Sequence, residues 1–431
     1  MHFVGVGGVG MSGLAQHLHR MGYSVSGSDR VISDRTQALE QLGIDLHIGH
    51  SATNVGNIEL LVRTSAVPLD NAEVAEATRR GIPVVLREQL LGAIFNSFAT
   101  RIAVCGTHGK TTVTAMIHAI LRQANVSHAA FIGGVYQGNN YYFGRNIVVA
   151  EACEFNRSFL NLRPTVCVCL NAEYDHPDCY RSQNDVRKAF GQFMLNTSLD
   201  GVVVLPKELD YLCNKRNSIN YDTQFKVDNV HLVEGKPHFD LFCTGCETLH
   251  LSVETVGAHN VNNAFAAIAV ARYLNIPWAD IQRALQAFCG VDRRWTEHNV
   301  GGLCKAVCDY AHHPTELACS VATAKSMAKG NVVCVFQPHT YSRTKAFWHQ
   351  FVTCFSGADT IAYLPIYSAR EKPIEGVTSQ MLAEEALQLG YNACYLSDFA
   401  SAVQWIKANT SPDDLLLILG AGNVCEIADM L

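Results

Sequence analysis

Two glycine-rich turns in this 431-residue chain have the composition of phosphate-binding loops, and only one of them carries a lysine. The first is Gly5-Val6-Gly7-Gly8-Val9-Gly10 and the second is Gly106-Thr107-His108-Gly109-Lys110-Thr111-Thr112. Each follows an apolar run and opens a helical pattern, so that backbone N–H groups and a helix N-terminus can cradle an anion. A loop without a cation suits a diphosphate that is merely held. A Gly-Lys-Thr loop suits a triphosphate whose β/γ bridge is to break, because Lys110 can reach the phosphate oxygens and Thr111 can offer a hydroxyl to Mg²⁺. The pairing implies one nucleotide kept as a handle and a second, ATP, consumed. The second loop is shorter than the usual Gly-x-x-x-x-Gly-Lys pattern, since Val104 stands where the first glycine would be.

Acids for the metal are expected at neighbouring strand ends. The run Asn146–Ala150 leads into Glu151 and Glu154, and the run Thr165–Leu170 leads into Asn171, Glu173, Asp175, His176 and Asp178. One or two carboxylates suffice, because Mg²⁺ takes few protein oxygens when phosphate supplies the rest. The first loop with Asp29 downstream also fits a dinucleotide-binding turn. No hydride-transfer constellation accompanies it, and Lys110 would have no task there. The spacing of Cys243 and Cys246 is metal-like, but nothing completes a tetrahedron and a hairpin turn at Thr244-Gly245 explains the pair.

The elements that position these residues read as α/β throughout. A strand His2–Val6 precedes the first loop, and Met11, Leu14, Leu18 and Met21 mark one face of the helix after it, ended by Gly22. A strand Ser24–Gly27 leads to Ser28-Asp29, and further alternation follows at Leu60–Thr64 and Asn71–Arg80. A second unit begins near Thr100 with strand Arg101–Cys105 and a helix apolar at Val113, Met116, Ile117, Ile120 and Leu121. Segment 201–256 reads as polar hairpins, followed by helices around 262–273 and 278–288. From Gly290 onward, strands at 332–336, 360–364 and 415–419 alternate with helical patterns at 343–355, 378–389 and 398–408. The expected organisation is three domains: 1–98 Rossmann-like, 99–289 of P-loop ATPase type and 290–431 Rossmann-like, packed around a shared cleft.

Composition agrees with a soluble enzyme: 48% apolar and 17% charged residues. The net charge of −6 lacks the basic excess of a nucleic-acid surface. No apolar run approaches bilayer length, and the N-terminus enters a strand and glycine loop directly, with no room for a signal peptide. The sixteen cysteines are scattered through apolar runs such as Val166-Cys167-Val168-Cys169-Leu170, as reduced thiols in a cytoplasmic protein would be.

Several motifs resemble those of the Mur ligases, the ATP-dependent amide-forming enzymes of peptidoglycan synthesis. They are the lysine loop, Asn171…Asp175-His176, Gly257-Ala258-His259-Asn260-Val261-Asn262-Asn263-Ala264 and Asp309-Tyr310-Ala311-His312-His313-Pro314-Thr315. The stretches Phe336–Thr344 and Tyr367–Pro373, with Ser26-Gly27-Ser28-Asp29, resemble the alanine-adding branch of that family. The resemblance spans almost the whole chain. It implies that ATP drives the joining of L-alanine to the lactyl carboxylate of UDP-N-acetylmuramate through an acyl phosphate. It implies roles for Gly106, Thr107, His108, Gly109, Lys110, Thr111 and Thr112 at the ATP phosphates, and for Asn260 and Asn263 at the adenine. Arg294 and Asp309 would reach ATP from the third domain. Thr111, Glu151 and His176 would hold Mg²⁺. Gly7, Gly8, Val9 and Gly10, with Ser28, Asp29 and Ser65, would hold the UDP-sugar, while His339, Arg343 and Arg370 would face the amino acid and the acyl phosphate. The implied partners are these small molecules alone, with no nucleic acid and no membrane, and the chain would be a monomer or weak homodimer. The adjacent His312-His313 read as a capping loop ahead of a helix at Pro314. One departure stands out. Glu151-Ala152-Cys153-Glu154-Phe155-Asn156 replaces the family's Glu-Ala-Asp-Glu-Ser-Asp, so two carboxylates are missing while Glu151 is kept. A related ligase for a recycled peptide and a non-catalytic nucleotide-binding homologue are the alternatives.

Overall fold

A computed structural model describes all residues except 215–216 and 243–247. Cys243 and Cys246 therefore lie outside the described residues. The chain divides into two compact units, the first comprising 1–172, 187–224 and 265–284, the second 173–186, 225–264 and 285–431.

The first unit holds two sheets. One is a five-stranded parallel sheet, in spatial order Asp45–Ile48, Ser26–Asp29, His2–Val4, Leu61–Arg63 and Val84–Leu86. Its central strand His2–Val4 opens into the first glycine loop at the point where strand order reverses, the place where open α/β sheets bind ligands. Helix Val9–Arg20 follows, closed by Met21 and by Gly22 at φ 90°, a left-handed position that glycine takes without strain. Strand Ser26–Asp29 starts later than the periodicity predicts and includes Ser28 and Asp29 themselves.

The other sheet has seven strands, in order Ser218–Asn220, Val202–Leu205, Val166–Cys169, Thr100–Cys105, Ile147–Glu151, His128–Tyr136 and Asn139–Tyr142. All neighbours are parallel except the last pair, a hairpin. Its core strands are buried on both faces, which explains their unbroken apolar runs. Val202–Leu205 corrects the expectation of hairpins from residue 201 onward. It is a fully buried parallel strand beside Val166–Cys169, and the hairpins begin only at Lys226.

The second unit contains an antiparallel sheet of Lys226–Val233, Lys236–Phe242 and Leu249–Ser252. Its six-stranded sheet runs Thr296–Asn299, Lys305–Asp309, Leu415–Leu419, Val332–Phe336, Thr360–Tyr363 and Ala393–Tyr395, parallel apart from the first strand. Alternate residues feed two cores: Val307, Cys334 and Leu417 on one face, Ala306, Val333 and Ile418 on the other. Helix Pro314–Met327 begins where the sequence places it. Among the described residues, no helix is long and apolar enough to cross a membrane.

Candidate active site

The lysine loop joins strand Thr100–Cys105 to helix Lys110–Gln123. Gly109 occupies the N-cap at φ 83°, so the loop turns into the helix with its amides unobstructed by a side chain. The neighbouring strand braces the turn: Asn171 accepts from the His108 N–H at 2.8 Å and donates to the His108 carbonyl at 3.2 Å. Lys110 lies back over its own loop, donating to the carbonyls of Gly106 and Thr107 at 2.6 and 3.0 Å. It also forms an ion pair with Glu154 at 2.9 Å. Burial disfavours the charged ammonium, but Glu154 and then Glu151 outweigh it and raise the Lys110 pKa above the usual lysine range.

Register sets Glu151 directly opposite Val104, at the end of the adjoining strand. The Thr111 hydroxyl donates to Glu151 Oε2 at 2.8 Å. Gly133, on strand His128–Tyr136, lies so close that a side chain there would collide with the Glu151 carboxylate. A hydroxyl and a carboxylate meeting at one point form a hard-oxygen donor set, the kind Mg²⁺ prefers. Cys153 leaves this set unchanged in character, because burial pushes its thiol up to about 11 and keeps it neutral.

The first loop is held from beneath. Gly5 and Val6 donate to the Ser28 carbonyl, and Gly7 donates to Asp29 Oδ2 at 2.8 Å. Arg35 clasps the Gly7 carbonyl at 2.6 Å. Of the predicted pair, Asp29 faces the loop. Ser28 is fully buried, its hydroxyl donating to Glu73 at 2.6 Å. Ser65 is exposed in the turn beyond strand Leu61–Arg63. A cleft of about 160 Å³ runs from Val9 and Gly10 past Arg87, Phe131 and Asn140 to Glu151 and Cys153. Its lining thus takes in the first glycine loop and Glu151, the carboxylate bonded to Thr111 behind the lysine loop, all within one compact unit.

The second unit assembles the other predicted residues. Arg343 is 3% exposed and grips Asp175 with two bonds, Nε to Oδ1 at 2.8 Å and Nη2 to Oδ2 at 3.2 Å. Burial opposes the Asp175 charge, yet Arg343 holds its carboxyl well below the usual carboxylate range. Nη1 of Arg343 meets His339 Nδ1 at 3.1 Å. A guanidinium only donates, so His339 carries its proton on Nε2. Burial and then Arg343 lower His339 to about 4 and His312 to about 3. His176, at φ 53°, stands beside Asp175, its Nε2 3.7 Å from Oδ2.

The stretches 336–344 and 367–373 are stitched together. Thr340 donates to the Tyr367 carbonyl at 2.9 Å, Tyr367 to that of Pro338 at 2.8 Å, and Ser342 uses backbone and hydroxyl on Glu371. Arg370 is exposed on the second of these stretches. Asn260 and Asn263 are buried and linked by a 2.9 Å bond. Arg294 lies over Tyr310 and pairs with Glu316 at 3.5 Å. Asp309 accepts from Ser320 at 2.6 Å, and burial raises its pKa. His313 caps the helix at Pro314 by accepting from the Thr315 N–H, as the capping reading expects.

Sequence reasoning missed Asn140 and Arg87 altogether, and did not foresee that Glu154 would pair with Lys110 or that Glu371, inside a recognised motif, would hold Ser342. Asn140 and Arg87 lie at no motif spacing that would have marked them, and all four residues acquire these partners only through tertiary packing.

Family models match along the chain. Residues 1–99 match "Mur ligase family, catalytic domain", 104–271 "Mur ligase middle domain" and 293–422 "Mur ligase, glutamate ligase domain". A UDP-N-acetylmuramate–L-alanine ligase of Agathobacter rectalis is 38% identical over 456 aligned residues, covering 100% of this chain and 97% of the relative. The chain belongs to the Mur ligase family. A UDP-N-acetylmuramate–L-alanine ligase of Geotalea uraniireducens is 39% identical, covering 100% of this chain and 97% of that protein. The crystal structure of a UDP-N-acetylmuramate–alanine ligase from Thermotoga maritima superposes with a TM-score of 0.82 at 29% identity, covering 100% of this chain and 97% of that one.

Proposed function

We propose that this Mur ligase joins L-alanine to the lactyl carboxylate of UDP-N-acetylmuramate at the expense of ATP. The observation that carries the reading is the cleft in the first unit, with a phosphate-type loop at one end and Glu151, beside the lysine loop, at the other. A nucleotide-linked sugar acid held by its diphosphate at Gly7–Gly10 would present its carboxylate to the γ-phosphoryl of ATP on Lys110. The full-length similarity to alanine-adding ligases supports the choice of acceptor and amine.

The carboxylate oxygen attacks the γ-phosphorus, the bond to the β-bridging oxygen breaks, and an acyl phosphate and ADP result. Both reactants are anionic, so the step needs cations placed in advance. Lys110 supplies one. Thr111 and Glu151 would hold Mg²⁺, which offsets charge on the phosphate oxygens when bound. His176 is proposed as a further ligand. Departure of the ADP phosphates would free the ammonium to return to Glu154. The alanine amine then attacks the acyl carbon and phosphate leaves. His339, Arg343 and Arg370 would serve the amino acid. His339 offers an Nε2–H donor and Arg343 a fixed positive charge; Asp175 holds Arg343, and Arg343 in turn holds His339.

We further propose the domain bounds 1–98, 99–289 and 290–431, the adenine role of Asn260 and Asn263, and the ATP roles of Arg294 and Asp309. A cytoplasmic location is supported by the thiols, since every described cysteine is free. Phosphate release from ATP, measured with Mg²⁺ and each substrate alone and together, tests the function. Release is expected only with UDP-N-acetylmuramate and L-alanine both present. Release that requires a peptide in place of alanine would move the assignment to a recycling ligase, and no release with any amine would refute it.

A further inference from the structure

Asn140 lies at the tip region of the hairpin formed by His128–Tyr136 and Asn139–Tyr142, 7% exposed, on the wall of the cleft. Its amide has one possible orientation. Nδ2 stands 2.6 Å from the Val9 carbonyl, which can only accept. The same nitrogen is 3.2 Å from Ser12 Oγ, whose own proton goes to the Val9 carbonyl at 3.1 Å. Both amide protons are therefore spent on the first turn of helix Val9–Arg20. The carbonyl oxygen Oδ1 has no partner among the described residues, and it belongs to a buried residue that lines the cleft. An acceptor left open on a cleft wall, with both protons of its amide already engaged, is placed to take a donor from a bound ligand.

The position of this acceptor narrows the donor. At one end of the cleft Val9 and Gly10 suit the diphosphate, and at the other Glu151 suits the reacting carboxylate. On an N-acetylmuramyl sugar the lactyl ether at C3 is adjacent to the acetamido group at C2. A ring spanning the cleft therefore carries its amide N–H beside the arm that points to Glu151. Leu91, Phe131 and Ile132 supply apolar wall on the same cleft.

We infer that Asn140 is the acceptor that recognises the acetamido N–H of the bound amino sugar, with the acetyl methyl against Leu91, Phe131 and Ile132. The inference rests on the cleft being the sugar-nucleotide site. The same side chain ties the glycine loop to the sheet that carries Glu151, so recognition of the sugar and placement of its carboxylate share one residue.

The test compares UDP-N-acetylmuramate with its analogue in which an ester oxygen replaces the acetamido nitrogen, so that only the donor is lost. In the wild-type enzyme kcat/KM for alanine-dependent phosphate release should fall about tenfold or more on the ester, because an acceptor built for a donor rejects its absence. In N140A the two substrates should differ by less than about twofold, a single unmade hydrogen bond being the whole difference. The KM for ATP should match the wild type in both cases. N140D keeps an oxygen toward the cleft but sets a second against Val9, so it should melt lower yet still discriminate. Equal wild-type rates on the two substrates would overturn the Asn140 assignment while leaving the ligase reading intact. A full-sized gap that persists in N140A would do the same. Should N140A fail to fold, the wild-type comparison and N140D still decide. Absence of alanine-dependent release with either substrate would overturn both readings.

Discussion

Replacing Asp175 by asparagine tests whether the second unit's chemistry is held by one buried ion pair. The side chains of Arg343 and Asp175 are only 4% and 7% exposed, and two bonds at 2.8 and 3.2 Å join them. In D175N the guanidinium stays buried and keeps His339 Nδ1 and the His339 carbonyl, at 3.1 and 3.3 Å, as its remaining partners. Two unit charges about 4 Å apart attract by about 4 kcal/mol at the effective dielectric that fits protein sites. The asparagine oxygen can still accept one hydrogen bond, returning about 1 kcal/mol. A net loss of about 3 kcal/mol follows, at the lower end of the 3–5 kcal/mol found when one partner of a buried pair is removed. For a unit of this size that is a fall in Tm of about 6–12 °C, at roughly 2–4 °C per kcal/mol. Tryptophan fluorescence is the assay of choice, because Trp295, Trp348 and Trp405 lie in the second unit and Trp278 alone in the first. Kinetically, KM for alanine should rise while KM for ATP holds. The double variant D175L/R343M should recover much of the stability, since it leaves no buried charge behind. A shift in D175N under about 2 °C, or a double variant no better than the sum of the singles, would refute the reasoning.

Four further outcomes follow. E151Q and T111A should each raise the Mg²⁺ concentration for half-maximal activity by about tenfold, the usual cost of one lost metal contact or support; unchanged Mg²⁺ titrations would remove both residues from the metal set. G133A should lose most activity at little cost in secondary structure, because the added methyl displaces the Glu151 carboxylate; circular dichroism and phosphate release separate the two effects. E154Q should lower the Lys110 pKa and destabilise by about 1–3 kcal/mol, the loop carbonyls retaining part of the hold; equal denaturation midpoints would contradict it. The last concerns pH. His118 Nδ1 and His128 Nε2 share one 2.8 Å bond, and His128 Nδ1 faces the Val126 carbonyl. Burial lowers His118 to about 3, so this ring is neutral in the folded protein. The unfolded state then binds the extra proton, so stability is complete above the unfolded pKa of about 6.5 and declines by about 1.4 kcal/mol per unit below it. Denaturation at pH 5 against pH 7 should show a loss of about 2 kcal/mol from His118, and H118F should lose less stability than the wild type over that interval.

The division between what the sequence discloses and what it hides follows range. Gly22 and the helix start at Pro314 are local signals, since backbone conformation and capping are decided within a few residues. Both lysine-loop ends and Glu151 are legible because strand–loop–helix transitions leave periodicity marks. Val202–Leu205 is a buried apolar run of four residues, too short to tell from a hairpin arm without its partner strand. Lys110–Glu154 and Arg343–Asp175 span 44 and 168 residues of chain, and no pattern links such positions. Asn140 is the extreme case. It is an ordinary turn-forming residue in sequence, and only the approach of the hairpin to Val9, 131 residues away, turns its amide into a fixed acceptor. Ser28 shows the reverse, a polar residue of a recognisable motif whose hydroxyl packs onto Glu73 instead of facing the loop.

The most direct test of the central claim follows an oxygen atom. UDP-N-acetylmuramate labelled with ¹⁸O in the lactyl carboxylate is turned over with ATP, Mg²⁺ and L-alanine, and the released phosphate is weighed by mass spectrometry. If the carboxylate attacks the γ-phosphoryl group and the amine then displaces phosphate, each phosphate carries one ¹⁸O from the sugar acid and the product is the alanyl amide. Phosphate free of label, or label transfer without amide formation, would contradict the account.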